Sequence, residues 1–323
     1  MAKACYRIPG GETFYFNGHE EKLSEMPIHK TGYIISNFAG TSFQFIQAEP
    51  DTTPCQFENN TQQSHNLDRT ISKAHFIYFI EKIQSEIKSG RVSKVVAARC
   101  KQIDLPKSFE INAFIQKLKV NYPNAYISAY QNKNCTFISA SPELLISKNA
   151  NGTAESVALA GTAPWEQKEK LGSKESAEQG ITAKHIREVL HNAGILFNES
   201  DQTIVRAGHL AHLVNTYSFT IEQTNIPSLI SSLHPTPAVG IYPHHAGIDF
   251  ITNNEDWNRG FYAGYSGILN PKGLNILSIN IRSMLISGRK ALLQAGAGIT
   301  LDSNPESEWI ETEEKMQTLE QLL

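Results

Sequence analysis

The sequence predicts an α+β fold, a single large domain in which long antiparallel β-sheets are flanked by helices. Three observations support this prediction. Strand-like runs follow one another through short turns, few stretches have helical periodicity, and the two kinds of element do not alternate as in βαβ units. A length of 323 residues would accommodate two domains. Because no break in composition separates two halves, we expect one domain, with residues 1–70 as its N-terminal part.

The first half of the chain combines both kinds of element. Residues 1–70 have the least regular pattern, and the polar segment 49–66 is typical of a loop. Apolar residues at helical spacing predict a helix over 71–89, which Gly90 ends as a cap residue. Residues 91–103 change to period two with β-branched side chains and predict a strand. Further along we expect a short helix near 109–120, strands near 125–130, 135–140 and 143–147, and a long helix from about 174 to 195.

The second half is dominated by strands. They are expected near 203–207, 210–221, 261–269, 274–282 and 291–296. Asn270, Pro271 and Gly273 supply the turn of a hairpin between two of these strands. A final helix begins at Ser303, where Ser303 and Glu306 have the spacing of a capping box.

Composition and charge limit the classes of function. The chain has 29 basic and 32 acidic side chains and a net charge of −3, so it lacks the broad positive surface that binds nucleic acid. An anionic ligand would have to be bound by a few placed cations. No apolar run approaches the ~20 residues of a membrane span and the N-terminal residues lack an apolar leader, so we expect a cytoplasmic protein without membrane contact. The four cysteines have no CxxC spacing and predict neither a disulfide framework nor a zinc site.

Lys94 is a candidate general base. On a strand over 91–101 it lies on the same face as Val92 and Val96. Apolar surroundings disfavour the ammonium form of a lysine and make a neutral amine available as a base. The alternative is an edge-strand lysine that extends to water and prevents aggregation. The strand alone favours this alternative, because lysine is almost never fully buried.

Two Glu-x-x-Glu pairs are candidate cation ligands. Glu175 and Glu178 lie near the start of the long helix and Glu308 and Glu311 in the last one, so each pair presents two carboxylates on one helix face. Oxygen ligands of this kind suit Mg²⁺. Taken singly, each pair fits plain helix surface better, since acidic side chains near a helix N-terminus stabilise the macrodipole without a metal.

Glycine-rich stretches at 160–162, 262–267 and 295–298 permit close approach of the backbone to a ligand, but they match no nucleotide-binding motif. Arg282 at the end of a predicted strand and Lys315 in the last helix are candidate cations for an anionic ligand. Taken alone, an arginine such as Arg282 is more often part of a surface or structural ion pair.

The order of these signals along the chain is more specific than any one of them. Together they form a series that resembles the chorismate-utilising enzymes of menaquinone, siderophore and tryptophan biosynthesis, over about residues 75–320. The segments that carry the resemblance are SKVVAAR (93–99), SPELL (141–145), ALAGT (158–162), KESAEQ (174–179), HLVN (212–215), LHPTPAVG (233–240), RGFYAGYSG (259–267), INIRSM (279–284), AGAGI (295–299) and SEWIETEEK (307–315). The resemblance implies that family's α+β fold, with residues 71–323 as the chorismate-binding catalytic region, and residues 1–70 match the family poorly.

The resemblance also implies roles for individual residues. Glu178 and Glu311 match the principal ligands of Mg²⁺, and Glu175 and Glu308 would act directly or through water. The cation would hold the ring carboxylate of chorismate, the small-molecule substrate. The implied substrate contacts are Gly161, Thr162 and Lys315 at the ring carboxylate, Arg282, Tyr262 and Gly296 at the enolpyruvyl carboxylate, and His212 and Ala238 elsewhere in the site.

Isochorismate synthases resemble this chain at the positions that decide the reaction. Lys94 matches their general base, which activates water for attack at C2, and Glu143 matches the general acid that protonates the departing C4 hydroxyl. Anthranilate synthases lack a lysine at the Lys94 position, and aminodeoxychorismate synthases carry one where this chain has Ala160. Salicylate synthases share the acid and the base and remain the alternative, although salicylate-forming relatives tend to have threonine at the position of Ala238.

One position departs from the family pattern. Relatives usually have histidine after the metal-binding glutamate, whereas this chain has Gln179, which cannot titrate, followed by Gly180. A chorismate-binding module without catalysis is therefore a hypothesis of a different class. We expect a monomer or a weak homodimer. Isochorismate feeds menaquinone and catecholate siderophores alike, so both pathways remain open.

Overall fold

Two antiparallel β-sheets dominate the computed structural model, which describes residues 1–59, 67–208 and 210–323. The strands are β1 (Ala2–Arg7), β2 (Thr13–Gly18), β3 (Glu20–Leu23), β4 (Gly32–Ser36), β5 (Phe43–Gln47), β6 (Lys94–Asp104), β7 (Tyr126–Gln131), β8 (Thr136–Ser141), β9 (Leu144–Lys148), β10 (Thr153–Pro164), β11 (Phe197–Glu199), β12 (Thr203–Ala207), β13 (Leu210–Thr220), β14 (Ile241–Tyr242), β15 (Tyr265–Leu269), β16 (Asn275–Ile279), β17 (Ser283–Ser287) and β18 (Lys290–Ile299). The α-helices are α1 (Lys73–Lys88), α2 (Ile111–Asn121), α3 (Ser173–Asn192), α4 (Ile226–Leu233), α5 (Asp249–Asn254) and α6 (Pro305–Glu320). Within the described residues, none of these helices is long and apolar enough to cross a lipid bilayer.

The two sheets pack face to face. The first has the strand order β14-β6-β18-β17-β8-β7-β1-β2, and the second has the order β11-β13-β10-β9-β16-β15-β4-β5-β3, with β12 also paired to β13. Tyr130 and Phe137 of the first sheet share a buried cluster with Tyr33 and Ile268 of the second, and the rings of Tyr33 and Tyr130 stack 6.3 Å apart. A second cluster packs α2 and α6 against the first sheet, and a third joins α1, α3 and α4 to strands of both sheets. Burial of these apolar clusters is the main stabilising contribution to the fold.

Elements with a clear hydrophobic period lie where the sequence predicts them. Helix α1 and strand β6 differ from their predicted bounds by three residues or fewer, and the hairpin of β15 and β16 turns at Asn270–Gly273, where the amide of Gly273 donates to the carbonyl oxygen of Asn270. Residues 1–70, by contrast, contain the five strands β1–β5, which the sequence pattern did not predict. Strand β1 pairs with β2 and β7 and is buried almost throughout, and it therefore shows no alternation of polar and apolar residues. Residues 60–66 of the predicted loop lie outside the described residues.

The cap of helix α6 also differs from the prediction. The side chain of Asn304, rather than that of Ser303, accepts the hydrogen bond from the first turn, here from the amide of Ser307 at 3.1 Å. The hydroxyl of Ser303 instead accepts from the amide of Thr300. Asparagine and serine are about equally good at this position, so composition alone does not choose between neighbours.

Two short connections, which we call the crossover segments, carry the chain between the sheets at one place. Residues 142–143 lead from β8 in the first sheet to β9 in the second, and residues 280–282 lead from β16 in the second back to β17 in the first. The amide of Ile279 donates to the carbonyl oxygen of Glu143 at 3.0 Å, and the backbone of β8 donates likewise to Arg282. Both sheets therefore fix the positions of Glu143 and Arg282.

Candidate active site

A cavity opens at the crossover segments. Residues predicted from the sequence that line it are Glu143, Gly161, Glu178, His212, Ala238, Tyr262, Arg282, Gly296 and Lys315. Lys94 lies directly behind this lining, in contact with Glu178. The fold thus gathers, around one cavity, residues from both sheets and from helices α3 and α6.

Lys94 begins strand β6 and is fully buried, with 0% of its side chain exposed. Strands β14 and β18 pair with β6 on either side, so the edge-strand interpretation is wrong and the amine is shielded from bulk solvent. The Nζ atom of Lys94 lies 2.9 Å from Oε1 of Glu178. A Cβ atom at Gly298 would lie 2.4 Å from Oε1 of Glu178 and 2.7 Å from Cε of Lys94, so any side chain there would displace the atoms of this ion pair.

Glu143 is the buried carboxyl group of the site, with 2% of the residue exposed. Burial raises its pKa to about 7, since a low-dielectric environment disfavours the carboxylate. The hydrogen bond from Thr236 and the charges of Lys94 and Lys315 lower the pKa, but by less than burial raises it. A carboxyl group with this pKa can hold a proton near neutral pH and release it during a reaction.

A bulge in strand β10 shapes the wall next to Arg282. The register between β10 and β13 shifts at Gly161, which has φ +69°, and the backbone of Thr162 then pairs with that of His212. The side chain of Thr162 lies outside the described part of the chain. Nδ1 of His212 lies 3.0 Å from the carbonyl oxygen of Gly161, and Nε2 lies 3.4 Å from Nη2 of Arg282. Because a carbonyl only accepts and a guanidinium only donates, these partners assign a neutral imidazole with its proton on Nδ1.

Arg282 supplies a buried positive charge to the cavity. Its backbone has φ 50°, which is uncommon for a residue other than glycine and is held here by the crossover segment. Nη1 donates to Oγ1 of Thr318 at 3.1 Å. Burial lowers the pKa of Arg282 to about 10, so the guanidinium remains protonated at neutral pH.

The opposite part of the lining is built around Gly296. A Cβ atom there would lie 2.9 Å from Oη of Tyr262, so the glycine keeps the hydroxyl close to the backbone of β18. Lys315 donates to the carbonyl oxygen of Gly296 at 2.9 Å and forms an ion pair of 2.5 Å with Glu311. Ala238 contributes a half-buried methyl group to the same cavity.

Of the four glutamates predicted to bind a metal, Glu178 lines the cavity, and the four do not form a cluster among the described residues. Glu178 and Glu311 contact lysines, and Oε2 of Glu175 accepts from the amide of Gly172 at the start of α3. Glu308 is buried, with 2% exposed. Among the described residues, no group of three or more metal-binding side chains converges. The donor set consists only of carboxylate oxygens and fits a hard divalent cation in its chemistry.

Gln179, at the departure from the family pattern, is a structural residue in this arrangement. Its Nε2 donates to Oδ1 of Asn215 at 2.7 Å, and its Oε1 accepts from Nε2 of Gln202 at 2.9 Å. The first bond connects helix α3, one residue after Glu178, to strand β13, and the second connects it to the residue before β12. Gly180 has no atom within 4 Å of a built Cβ position, so packing does not require glycine there.

Two further residues of the site have no role predicted from the sequence. The hydroxyl of Thr236 donates to Oε1 of Glu143 at 3.2 Å. Gly298 admits the ion pair of Lys94 described above. Both residues lie within segments that carry the family resemblance. Thr236 is two residues from Ala238 and Gly298 is two residues from Gly296, so closeness in sequence to predicted site residues could have pointed to them.

The arrangement can bind an anion and move protons within a partly enclosed cavity. Arg282 and Lys315 present positive charge, whereas Glu143 and Lys94 are a buried acid and a buried amine. Groups of this kind, removed from bulk water, interact more strongly with a charged ligand than they would at the surface. Acid–base chemistry on a small carboxylated molecule is the reaction type that such a set supports.

Comparison with known proteins agrees with this interpretation. The isochorismate synthase MenF of Bacillus subtilis is 30% identical over 261 residues, which covers 77% of this chain and 55% of that protein. The salicylate biosynthesis isochorismate synthase of Pseudomonas aeruginosa is 31% identical over 251 residues, which covers 74% of this chain and 52% of that protein. The matched part of the chain thus spans about half the length of these relatives.

Structural comparison confirms the fold class. The menaquinone-specific isochorismate synthase MenF of Escherichia coli superposes with a TM-score of 0.82 at 20% identity, over 100% of this chain and 89% of that one. A family model described as chorismate binding enzyme matches residues 32–323. The resemblance inferred from the sequence motifs is therefore confirmed, and the chain belongs to the family of chorismate binding enzymes.

Proposed function

We propose that this protein is an isochorismate synthase, which isomerises chorismate to isochorismate with the help of Mg²⁺. The observation that carries the proposal is the pairing of a buried lysine and a buried carboxyl group of raised pKa, Lys94 and Glu143, at one cavity that also presents Arg282 and Lys315. Relatives that are isochorismate synthases support this reaction within the family.

In the proposed reaction Lys94 is the base and Glu143 is the acid. Lys94 takes a proton from a water molecule whose oxygen attacks C2 of the ring. Glu143 gives its proton to the C4 hydroxyl, which leaves as water while the two ring double bonds each shift by one position. One water is consumed and one is released, so substrate and product are isomers. A pKa of about 7 for Glu143 suits this role, because the group is partly protonated at neutral pH.

The two carboxylates of chorismate require positive charge or hydrogen-bond donors at both ends of the cavity. Arg282 and Tyr262, with the backbone at Gly296, would receive the enolpyruvyl carboxylate. Lys315 and the backbone at Gly161 and 162 would assist at the ring carboxylate. Charge-assisted hydrogen bonds in a buried site are short and strong, which compensates for the low net charge of the chain.

Glu178 and Glu311, assisted by Glu175 and Glu308, are the residues that would hold Mg²⁺. When bound, the cation would neutralise the ring carboxylate of the substrate. Glu178 and Glu311 each contact a lysine, Lys94 and Lys315 respectively, so positive charge already balances these carboxylates at the edge of the cavity.

Product analysis tests the proposal. Purified protein is incubated with chorismate, with Mg²⁺ or with EDTA, the products are separated by chromatography, and pyruvate is assayed in parallel. We expect isochorismate that approaches equilibrium with chorismate, without pyruvate, and only when Mg²⁺ is present.

Two other results would reject the proposal in different directions. Salicylate with a matching amount of pyruvate would assign the chain as a salicylate synthase and would make Ala238 a misleading marker. Chorismate binding by calorimetry with no product would assign a binding module without catalysis and would direct attention to Gln179.

A further inference from the structure

Thr236 contacts the carboxyl group that the proposed function uses as its acid. Its Oγ1 donates to Oε1 of Glu143 at 3.2 Å, and 3% of the residue is exposed. Among the described residues, Thr236 is the side chain that donates a hydrogen bond to the carboxyl group of Glu143. Lys94 and Lys315 are the charged groups that act on Glu143, and neither donates a hydrogen bond to it in this structure.

The hydroxyl of Thr236 is not needed to form the turn that contains it. The carbonyl oxygen of Thr236 accepts from the amides of Val239 and Gly240, at 3.0 and 2.8 Å, and these backbone bonds close the turn. Strand β6 fixes the turn in place, since the amide of Val96 donates to the carbonyl oxygen of Gly240 at 2.8 Å. The hydroxyl is therefore held rigidly by the backbone, while its own contact is with Glu143.

A donor at Oε1 decides which oxygen of a protonated Glu143 carries the proton. A carboxylic acid has one proton, and the oxygen that accepts a hydrogen bond from Thr236 is the carbonyl oxygen. Among the described residues Oε2 accepts no hydrogen bond and is not fully enclosed by protein, and Glu143 lines the cavity, so Oε2 is the oxygen that a ligand in the cavity can reach. We propose that Thr236 is a positioning residue, which directs the acidic proton of Glu143 to Oε2, where a bound substrate can receive it.

This inference rests on the proposed function for its kinetic consequences, but its spectroscopic consequence is independent of turnover. The hydrogen bond to Oε1 weakens the C=O bond of the protonated carboxyl group and lowers its infrared stretching frequency. The band of wild-type protein is identified by its loss in Glu143→Gln. In Thr236→Val, which keeps the shape and removes the donor, the band should move to higher frequency. An unmoved band would place the proton on Oε1 and overturn the proposal, whether or not chorismate is turned over.

The kinetic experiment uses Thr236→Val, Thr236→Ser and Thr182→Val. Misdirecting the proton should lower kcat by about tenfold to a hundredfold with little change in KM. Because the Thr236 hydrogen bond lowers the pKa of Glu143, its loss should move the upper limb of the kcat profile to higher pH. Thr236→Ser, which restores a donor, should return kcat and the limb toward wild type. Thr182 is the matched control, since its buried hydroxyl has no partner among the described residues. Thr182→Val should therefore leave kcat and the upper limb of its pH profile unchanged.

Each outcome separates this inference from the proposed function. If Thr236→Val has the same kcat and the same upper pH limb as wild type, the positioning role is rejected. The isochorismate synthase proposal is then left intact. Wild-type protein without isochorismate formation would reject the proposed function, and the infrared band would then decide the positioning role alone. If Thr236→Val melts below the assay temperature, Thr236→Ala, which removes the same donor without a branched side chain, replaces it in both experiments.

Discussion

Replacing Glu143 by glutamine should change how the stability of the protein depends on pH. The folded protein raises the pKa of Glu143 from 4.5 to about 7, because the group is fully buried. The folded state therefore binds a proton more tightly than the unfolded state between these values. The stabilisation from the bound proton is fully present below about pH 4.5, and it is lost as the pH rises through about 7.

The magnitude follows from the size of the change. Since one pKa unit corresponds to 1.36 kcal/mol, the buried charge costs about 3 kcal/mol at a pH well above 7. Glutamine has nearly the same shape and never ionises. The free energy of unfolding of Glu143→Gln minus that of wild type should therefore increase by up to about 3 kcal/mol between about pH 5 and about pH 8.

Denaturant titrations of both proteins across this range measure the difference. Other titrating groups are common to the two proteins and cancel. Glu81→Gln, at an exposed position of helix α1, is the control and should give a difference that is almost independent of pH. If the free energies of unfolding of Glu143→Gln and wild type changed in parallel with pH, burial would not raise the pKa of Glu143 and the reasoning would be refuted. The same variant should lose turnover by about 10²–10⁴-fold, so stability would be gained where activity is lost.

Three further predictions concern the rest of the site. Lys94→Ala should lower turnover by about 10²–10⁴-fold while chorismate binding stays measurable by calorimetry, and undiminished turnover would exclude Lys94 as the base. Glu311→Gln should weaken the dependence of activity on Mg²⁺ together with substrate binding, and an unchanged Mg²⁺ titration would contradict the metal assignment. Gly298→Ala places a methyl group 2.4 Å from Oε1 of Glu178, so turnover should fall by about 10²-fold with only a small change in Tm, because the displaced atoms are ends of side chains. A large fall in Tm with normal turnover of the folded fraction would show that the ion pair of Lys94 is structural.

The sequence predicted elements and candidate residues well where the evidence is local. The period-two pattern of β6 placed Lys94 on a strand, but the strand alone favoured an exposed edge. Burial of Lys94 depends on pairing with β14 and β18 and on Glu178 from helix α3, all distant in sequence. Contacts of this kind leave no periodic signal, and only the order of motifs along the chain, compared with a known family, pointed to them.

Local patterns failed where tertiary contacts decide the structure. Strand β1 is buried on both faces and carries no alternation, so the N-terminal strands were not expected. The role of Thr236 depends on a turn that brings it to Glu143 in space, and the sequence shows only that it lies near Ala238. The bulge at Gly161, which exposes a carbonyl oxygen to His212, depends on the register with β13.

The crossover segments restrict where the chain can tolerate changes in length. Segments 142–143 and 280–282 are too short to absorb an added residue, and an insertion in either would reverse which side chains of the following strand face inward. It would also displace Glu143 or Arg282 from the cavity. The exposed turn at 149–152, between β9 and β10, has no such constraint. Affinity tags, fused domains and natural insertions can therefore be accommodated at the ends of the sheets remote from the crossover segments, while the segments themselves must keep their length if the cavity is to keep its chemistry.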